Sequence, residues 1–293
     1  MDYNICITRD YIKKILFPII FRELDNFLDY EKISLNEKKL FLPIKKDVDK
    51  NHLQKKSVDL RVKLKKFLES NTEIQKNVKQ KFANNLGVNE DDVEISPWVP
   101  FDSRLNVPVD YIPNKNKKIA GALGWHQDTG SWYNLDLQKN MNEFIEKNYW
   151  KRITYSNWIP LTDCNSKNGV QLIENSDIFG LQNVKEKSVG LFSNRYYFQE
   201  SIKTKDINNL KKINLTPKAG VCNYFNSLVF HRSMINTSDE IRCSFEMRFS
   251  LKKIEYAKTI SKKILLKRFI FQNYPNLYNI TFLPKYIINK VIK

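Results

Sequence analysis

Hydrophobic and polar residues follow different periods in different parts of the chain. In residues 1–90, apolar residues recur every three or four positions, and Leu60, Leu64, Phe67 and Leu68 share one face of a predicted helix between lysines. A second helix is predicted over residues 71–86, before Gly87. From about 91 to 250 the pattern changes to short apolar runs separated by turn residues, which is typical of strands.

Two further segments interrupt or follow the predicted strands. Residues 138–149 predict an inserted helix, which we interpret either as a packing helix or as a lid over a substrate. Residues 251–293 return to a helical pattern, which Pro275 and Pro284 divide into pieces. Helices, then many short strands, then helices predict a mainly β fold, a sandwich or jelly roll with flanking helices, and we expect residues 1–293 to form a single domain.

The composition is that of a globular protein with a strong positive charge. Of the 293 residues, 42% are hydrophobic and 28% are charged, which excludes general disorder, collagen and a small disulfide scaffold. The formal net charge of +17 favours an anionic partner, such as a phosphorylated or carboxylated metabolite, a lipid surface or nucleic acid. A chain rich in Lys, Asn and Ile because of AT-rich codons is the alternative explanation.

The cysteines and the N-terminal apolar run bear on the cellular location of the protein. Four cysteines without metal-ligand spacing indicate reduced thiols and a cytoplasmic protein: Cys6, Cys164, Cys222 and Cys243. The apolar run over 15–21 is too short to span a membrane and has no small-residue cleavage site after it.

The C-terminal segment is unusually basic. Residues 252–293 contain ten Lys or Arg residues and one acid, Glu255. Apolar side chains interleave with the lysines, so these helices could pack on the barrel with a solvated lysine face or lie on the inner face of an anionic membrane. No motif that reads nucleic-acid grooves is present, and we expect no nucleic-acid partner.

Candidate metal ligands come from two of the three histidines. His126 and Asp128 are two residues apart, so both side chains can point to one face of an extended backbone. His231 closes the β-like run over 221–230. Two imidazoles and one carboxylate form the facial triad that holds non-haem Fe(II) and leaves open positions. The alternative for each histidine is an ordinary hydrogen-bonded side chain.

A guanidinium that could bind an acidic cosubstrate follows the second histidine. Residues 241–249 alternate with period two, with Arg242 and Arg248 on the polar face, and predict a half-buried strand. A hairpin from His231 to this strand would bring Arg242 back near the metal, where it could clamp the distal carboxylate of 2-oxoglutarate. A salt bridge with Glu246 is the alternative for Arg242. Arg248 lies farther along the strand, and we interpret it as a substrate-binding or structural residue.

Three segments together resemble the phytanoyl-CoA dioxygenase-like family of Fe(II)/2-oxoglutarate oxygenases. They are Gly124 through Thr129 with its HxD, Trp158 through Asn168-Gly169, and Ala219-Gly220 through His231-Arg232-Ser233 to Arg242. The resemblance covers about 119–250 and implies a double-stranded β-helix core. It also implies Fe(II) and O2 as cofactors and 2-oxoglutarate as cosubstrate. The residue roles that it implies are iron ligands at His126, Asp128 and His231, and cosubstrate contacts from Arg242, Ser233 and Trp158.

We therefore expect a dioxygenase that hydroxylates an unactivated carbon of a small anionic metabolite, such as an acyl-CoA, a sugar or a lipid-linked sugar, releasing succinate and CO2. Two alternatives remain open at this point. One is a non-catalytic basic peripheral binding protein on a degenerate barrel. The other is a cupin-like metalloenzyme that does not use 2-oxoglutarate.

Overall fold

The computed structural model describes residues 4–36, 39–96, 100–113, 125–128, 152–179, 184–187, 197–200 and 209–255. The predicted helix at 138–149 and the basic segment beyond 255 lie outside these residues, as do Gly124 and Thr129. In the part of the chain that is described, every helix is too short or too polar to cross a bilayer.

The N-terminal third is helical, as predicted. Its α-helices are α1 (Arg9–Tyr11), α2 (Phe17–Leu24), α3 (Lys50–Ser70) and α4 (Thr72–Leu86), and a π-helical stretch at Ile12–Leu16 joins the first two. Asp49 caps α3 by accepting hydrogen bonds from the backbone of Asn51 and His52. Gly87 ends α4 with a φ of 66°, a left-handed conformation that favours glycine.

The described residues form twelve strands, two before the two long helices and ten after them. They are β1 (Ser34–Leu35), β2 (Leu40–Phe41), β3 (Val93–Ile95), β4 (Phe101–Asn106), β5 (Arg152–Pro160), β6 (Val170–Ile173), β7 (Val184–Lys187), β8 (Tyr197–Glu200), β9 (Lys212–Leu215), β10 (Asn223–Asn226), β11 (His231–Ser233) and β12 (Arg242–Glu255). All the pairings between these strands are antiparallel.

Two sheets build the core of the fold. The larger sheet has the order β10-β5-β12, and β12 then pairs with β3 at one end and with β4 at the other. The smaller sheet has the order β11-β6-β9. These sheets and the helices confirm the predicted mainly β fold, a double-stranded β-helix with helices outside it.

The helices pack against the outer face of the larger sheet. Leu60, Leu64 and Leu68 of α3 are fully buried, in one cluster with Phe245 and Phe249 of β12. From α4, the ring of Phe82 contacts Phe249 with centroids 5.2 Å apart, and it also meets two tyrosines of the sheet. Burying large side chains of this kind contributes roughly 1.5–3 kcal/mol each, so the helical layer is part of the core.

Strand β12 departs from the sequence prediction in two ways. It continues to Glu255, although a helical pattern was expected from residue 251, because Leu251 pairs with Val93 and extends the sheet. Its polar face was expected to be half-exposed, but Arg242 and Arg248 are 2% and 1% exposed. One face of β12 packs on the helices and the other faces the interior of the barrel, so both are buried.

The Ala219-Gly220 pair fastens the N-terminal segment to the barrel. Gly220 has a φ of 85°, and a Cβ atom there would lie 1.9 Å from the carbonyl oxygen of Ile7. The backbone N–H of Cys6 donates to the Gly220 carbonyl at 2.9 Å, and the N–H of Ala219 donates to Asp163 Oδ1 at 2.8 Å. Only glycine allows this close approach of two backbones.

Candidate active site

His126, Asp128 and His231 converge at one point, although 103 residues separate the last two in sequence. Each can offer one ligand atom, and these three atoms lie within 4.8 Å of one another. The Nε2 atoms of His126 and His231 lie 3.6 and 3.5 Å from Asp128 Oδ1. The two imidazole rings have centroids 4.1 Å apart. Two imidazoles and one carboxylate grouped in this way can hold a ferrous ion from one side.

Backbone hydrogen bonds hold the two histidines side by side. The N–H of His126 donates to the carbonyl of His231 at 2.9 Å, and the reverse bond is 3.0 Å long. The side chain of Gln127 points the other way and donates to the Leu228 carbonyl at 2.7 Å. The segment 125–128 therefore extends the edge of the smaller sheet beside β11, and it places His126 and Asp128 on the inner face.

Outside the barrel, a cation–π contact covers the same segment. The guanidinium of Arg232 lies 4.6 Å from the centroid of the Trp125 ring, and its Nε atom donates to Gln171 Oε1 at 3.0 Å. Successive side chains of a strand point to opposite faces, so His231 of β11 points into the barrel and Arg232 points outward, where it contacts Trp125.

The hydrogen bonds of His231 are suited to metal binding. Its Nδ1 atom lies 3.0 Å from the carbonyl oxygen of Val229. A carbonyl only accepts hydrogen bonds, so Nδ1 carries the proton and Nε2, which faces Asp128, keeps a free lone pair. A backbone carbonyl that fixes the imidazole in this tautomer is common behind metal-ligating histidines.

Asp128 is ionised, and two side chains donate hydrogen bonds to it. Burial raises the pKa of its carboxyl group, but the nearby Arg248 guanidinium outweighs this, and the pKa lies well below its ordinary value. Asp128 Oδ2 accepts hydrogen bonds from Ser156 Oγ at 2.5 Å and from Arg248 Nη2 at 3.0 Å. The carboxylate is thus present in the charged form that a cation requires.

These side chains open onto a cavity between the two sheets. Asp128 and the two histidines lie at one part of its wall, and the larger sheet supplies most of the rest. The cavity is lined by His126, Asp128, Ser156, Trp158, Val170, Phe225, His231, Ser233, Arg242 and Glu246. All the residues predicted from the sequence to bind iron or 2-oxoglutarate therefore line one cavity.

Arg242 is a buried cation without an acidic partner among the described residues. Its Nη1 atom donates to the carbonyl oxygens of Asn168 and Gly169 at 3.2 and 3.3 Å. Its Nε atom is buried and has no hydrogen-bond partner in the described part of the chain, and burial lowers the pKa of the guanidinium. The alternative salt bridge with Glu246 is wrong, because Glu246 pairs with Arg104 and Arg248 instead. A buried cation without a counter-ion is costly, which fits a group that receives an anionic ligand.

Trp158 and Ser233 lie on the same cavity wall as Arg242. The guanidinium of Arg242 lies 5.4 Å from the Trp158 ring centroid, and the indole N–H is buried without an acceptor among the described residues. Ser233 is at the end of β11 and lines the cavity. Three donors, from an arginine, a tryptophan and a serine, thus border one space that could take a carboxylate.

The predicted hairpin between His231 and Arg242 is wrong. His231 begins a strand where it was expected to end one, because a turn at Ser227–Val229 separates β10 from β11. β11 pairs with β6 in the smaller sheet, whereas β12 pairs with β5 in the larger one. Arg242 therefore faces His231 across the cavity from the opposite sheet, and the two residues still share a site.

Two more residues contact the candidate ligands, and neither of them was connected with Asp128 from the sequence. Ser156 and Arg248 are paired neighbours on β5 and β12, and both donate to Asp128. Arg248 thus contacts a candidate ligand, whereas the sequence left it open between a substrate-binding and a structural role. The period-two pattern gave a signal for Arg248, which shares a strand face with Arg242, but no sequence pattern distinguished Ser156.

Glu240 supports the carbonyl groups that hold Arg242, and its burial makes stability depend on pH. Its Oε1 atom accepts hydrogen bonds from Asn165 and Asn168, while Oε2 is buried without a hydrogen-bond partner in the described part of the chain. Burial raises the pKa of this carboxyl group from 4.5 to about 7, partly offset by Lys39.

We expect the Glu240→Gln variant to lose this pH dependence. Because the pKa is higher in the folded state than in the unfolded state, folding favours the protonated acid, and this stabilisation is lost as pH rises through about 7. The free energy of unfolding of the wild type should therefore fall, relative to that of the variant, between about pH 5 and pH 8. Urea unfolding at both pH values tests this, and equal pH slopes in the two proteins would contradict it.

A family model matches most of the chain. The model described as Phytanoyl-CoA dioxygenase (PhyH) matches residues 31–244. This range contains every residue that lines the cavity except Glu246, which follows two positions later on β12. No curated protein sequence matches the chain.

Several solved structures are similar in backbone but distant in sequence. One is EvdO2 from Micromonospora carbonacea var. aurantiaca complexed with 2-oxoglutarate, with 12% identity, 89% of each chain covered and a TM-score of 0.47. Another is the epimerase SnoN in complex with Fe3+, alpha ketoglutarate and nogalamycin RO, with 10% identity, coverage of 88% and 85%, and a TM-score of 0.44. AviO1 from Streptomyces viridochromogenes has 11% identity, 86% of each chain covered and a TM-score of 0.40.

Proposed function

The chain belongs to the phytanoyl-CoA dioxygenase family of 2-oxoglutarate-dependent oxygenases, which use iron and O2, and from this premise we propose that it hydroxylates an unactivated carbon of a small anionic metabolite. The observation that carries the proposal is the convergence of two imidazoles and a carboxylate in a cavity that is also lined by a buried arginine, which has no acidic partner among the described residues. We assign the whole chain, residues 1–293, to one oxygenase domain, since the described helices and the larger sheet share one hydrophobic cluster.

The residues of the site fit both groups that the family uses. His126, Asp128 and His231 would hold Fe(II), and the donor set is the one that ferrous iron takes in facial-triad enzymes. When bound, iron and 2-oxoglutarate supply the oxidation: O2 contributes one oxygen atom to the substrate and one to succinate, and CO2 leaves. The charge of Arg242 is buried, which is costly, and the carboxylate of a bound 2-oxoglutarate would compensate it.

The protein's own residues orient the cosubstrate and exclude water. The Arg242 guanidinium would donate to the distal carboxylate of 2-oxoglutarate, with the Ser233 hydroxyl assisting and the Trp158 ring packed beside it. Val170 and Phe225 add apolar wall to the same cavity. Apolar side chains exclude water, so the charges of Arg242 and of the 2-oxoglutarate carboxylate would be screened less and would attract each other more strongly.

The net charge supports an anionic substrate. A charge of +17 raises the local concentration of anions such as acyl-CoA, nucleotide-linked sugars or lipid-linked sugars. Contact of residues 252–293 with a membrane remains a prediction, since only residues 252–255 of this segment are described and they belong to β12.

A turnover screen tests the proposed reaction. Purified protein with Fe(II), 2-oxoglutarate and O2 should form succinate faster with one member of a panel of acyl-CoAs, nucleotide sugars and lipid-linked sugars. The product should gain one oxygen atom, which labelled O2 would supply. Each compound is paired with its dephosphorylated counterpart, which we expect to react more slowly. Succinate formation without oxygen transfer to any compound would contradict hydroxylation, and equal rates for each compound and its dephosphorylated counterpart would contradict an anionic substrate.

A further inference from the structure

The two oxygens of Asp128 have different surroundings. Oδ1 faces the candidate metal position, 3.5–3.6 Å from the Nε2 atoms of both histidines. Oδ2 points away from them and accepts hydrogen bonds from Ser156 Oγ at 2.5 Å, Arg248 Nη2 at 3.0 Å and Arg248 Nε at 3.3 Å. Three donor contacts thus engage Oδ2, whereas Oδ1 is the oxygen that faces the two histidines.

Arg248 is itself held from behind. Its side chain is 1% exposed, and its Nη2 atom also donates to Glu246 Oε2 at 3.1 Å. Glu246 Oε1 accepts from Arg104 Nε at 3.3 Å, and Arg104 pairs with Asp102 at 3.0 Å. Carboxylates and guanidinium groups thus alternate, so each charge in this row has an opposite charge beside it.

The register of the larger sheet fixes both donors. Ser156 on β5 pairs directly with Arg248 on β12, so the two side chains lie next to each other on the inner face. Both are buried. Donors on rigid neighbouring strands hold a carboxylate more firmly than donors on loops would.

We propose that Arg248, with Ser156, restrains Asp128 so that it binds the metal through Oδ1 alone. The inference rests on the proposed function, because it concerns the metal that this function requires. A carboxylate that is free to turn can chelate with both oxygens and so occupy a further coordination position. Restraint by Arg248 keeps that position available for 2-oxoglutarate, which binds iron through two atoms. Arg248 is a positioning residue, since it acts through Asp128.

The test separates metal binding from cosubstrate binding in proteins loaded with Mn(II), which does not turn over. Mn(II) affinity is measured from the electron paramagnetic resonance of free Mn(II), and 2-oxoglutarate affinity of the Mn(II)-loaded protein is measured by calorimetry. In Arg248→Met we expect Mn(II) affinity to stay within about threefold of the wild-type value or to become tighter. The affinity for 2-oxoglutarate should fall about tenfold or more, as is typical when a residue that hydrogen-bonds to a metal ligand is replaced.

Three further variants make the result decisive. Ser156→Ala, a small change that should fold, is expected to lower 2-oxoglutarate affinity less than Arg248→Met does, and Arg248→Lys should recover part of the loss. Lys63→Gln is the matched control: Lys63 pairs with Glu23 in the helical layer, away from this row of charges, and its loss should leave both affinities unchanged.

Unchanged 2-oxoglutarate affinity in both Arg248→Met and Ser156→Ala would overturn the inference. Losses of Mn(II) and 2-oxoglutarate affinity in equal proportion would also overturn it, because they would indicate a collapsed site. If Arg248→Met does not fold, Ser156→Ala and Arg248→Lys decide the question by the same criteria. A wild-type protein that binds neither Mn(II) nor 2-oxoglutarate would instead remove the proposed function on which the inference rests.

Discussion

Replacing His231 with alanine is expected to abolish the conversion of 2-oxoglutarate to succinate. The variant loses one of three groups that meet at the candidate metal position, and its Fe(II) affinity should fall by more than about 100-fold, since even the partners behind metal ligands contribute about 10–100-fold. The backbone hydrogen bonds between residues 126 and 231 do not depend on the side chain, so the fold should persist. Succinate formation and metal titration measure the two effects.

The third histidine provides the control for this experiment. His52 lies on α3, where its ring packs against Phe27 with centroids 5.2 Å apart, outside the cavity. His52→Ala should keep both metal affinity and succinate formation near wild-type values, and His126→Ala should reproduce the loss seen in His231→Ala. Succinate formation that survives in both cavity variants would show that another site does the chemistry.

Replacing Arg242 with methionine should have opposite effects on cosubstrate binding and on stability. Losing one partner of a buried charge pair costs about 2–5 kcal/mol, which corresponds to a fall in 2-oxoglutarate affinity of about 30-fold to several thousand-fold. The protein without ligand should be as stable as the wild type or more so, because the variant no longer buries an uncompensated cation.

Thermal unfolding with and without 2-oxoglutarate measures both effects of this variant. A ligand that binds only the folded state raises the unfolding temperature, and this increase should disappear in Arg242→Met. Arg242→Lys keeps the charge but loses the two-pronged geometry, so it should lie between the two proteins. A variant that is strongly destabilised without ligand, yet still binds 2-oxoglutarate, would mean that Arg242 holds the Asn168–Gly169 loop and nothing more.

The candidate ligands could be predicted because their signals are local. His126 and Asp128 occupy alternate positions of one short segment, and His231 and Arg242 fall in order within a motif of fixed spacing. Helices α3 and α4 were predicted for a similar reason, since their apolar period and the glycine after α4 are contained within each segment.

What could not be predicted depends on which strands pair. Arg248 meets Asp128 across 120 residues, and Ser156 joins them only because β5 and β12 are in one register. The assignment of His231 and Arg242 to different sheets is likewise a property of the whole topology. The extension of β12 to Glu255 escaped prediction because its exposed lysines resemble a helix, while pairing with Val93 decides its conformation.

The reciprocal backbone hydrogen bonds between His126 and His231 also bear on how the protein survives without iron. Because backbone hydrogen bonds align the two imidazoles, the entropy of bringing them together is lost when the barrel folds and not when the metal binds. A chelator should therefore remove the ion and leave a folded protein that can bind the metal again. Small zinc domains behave in the opposite way and unravel when their metal is removed. At low iron concentration the metal-free protein would therefore stay folded and would regain activity when iron is supplied.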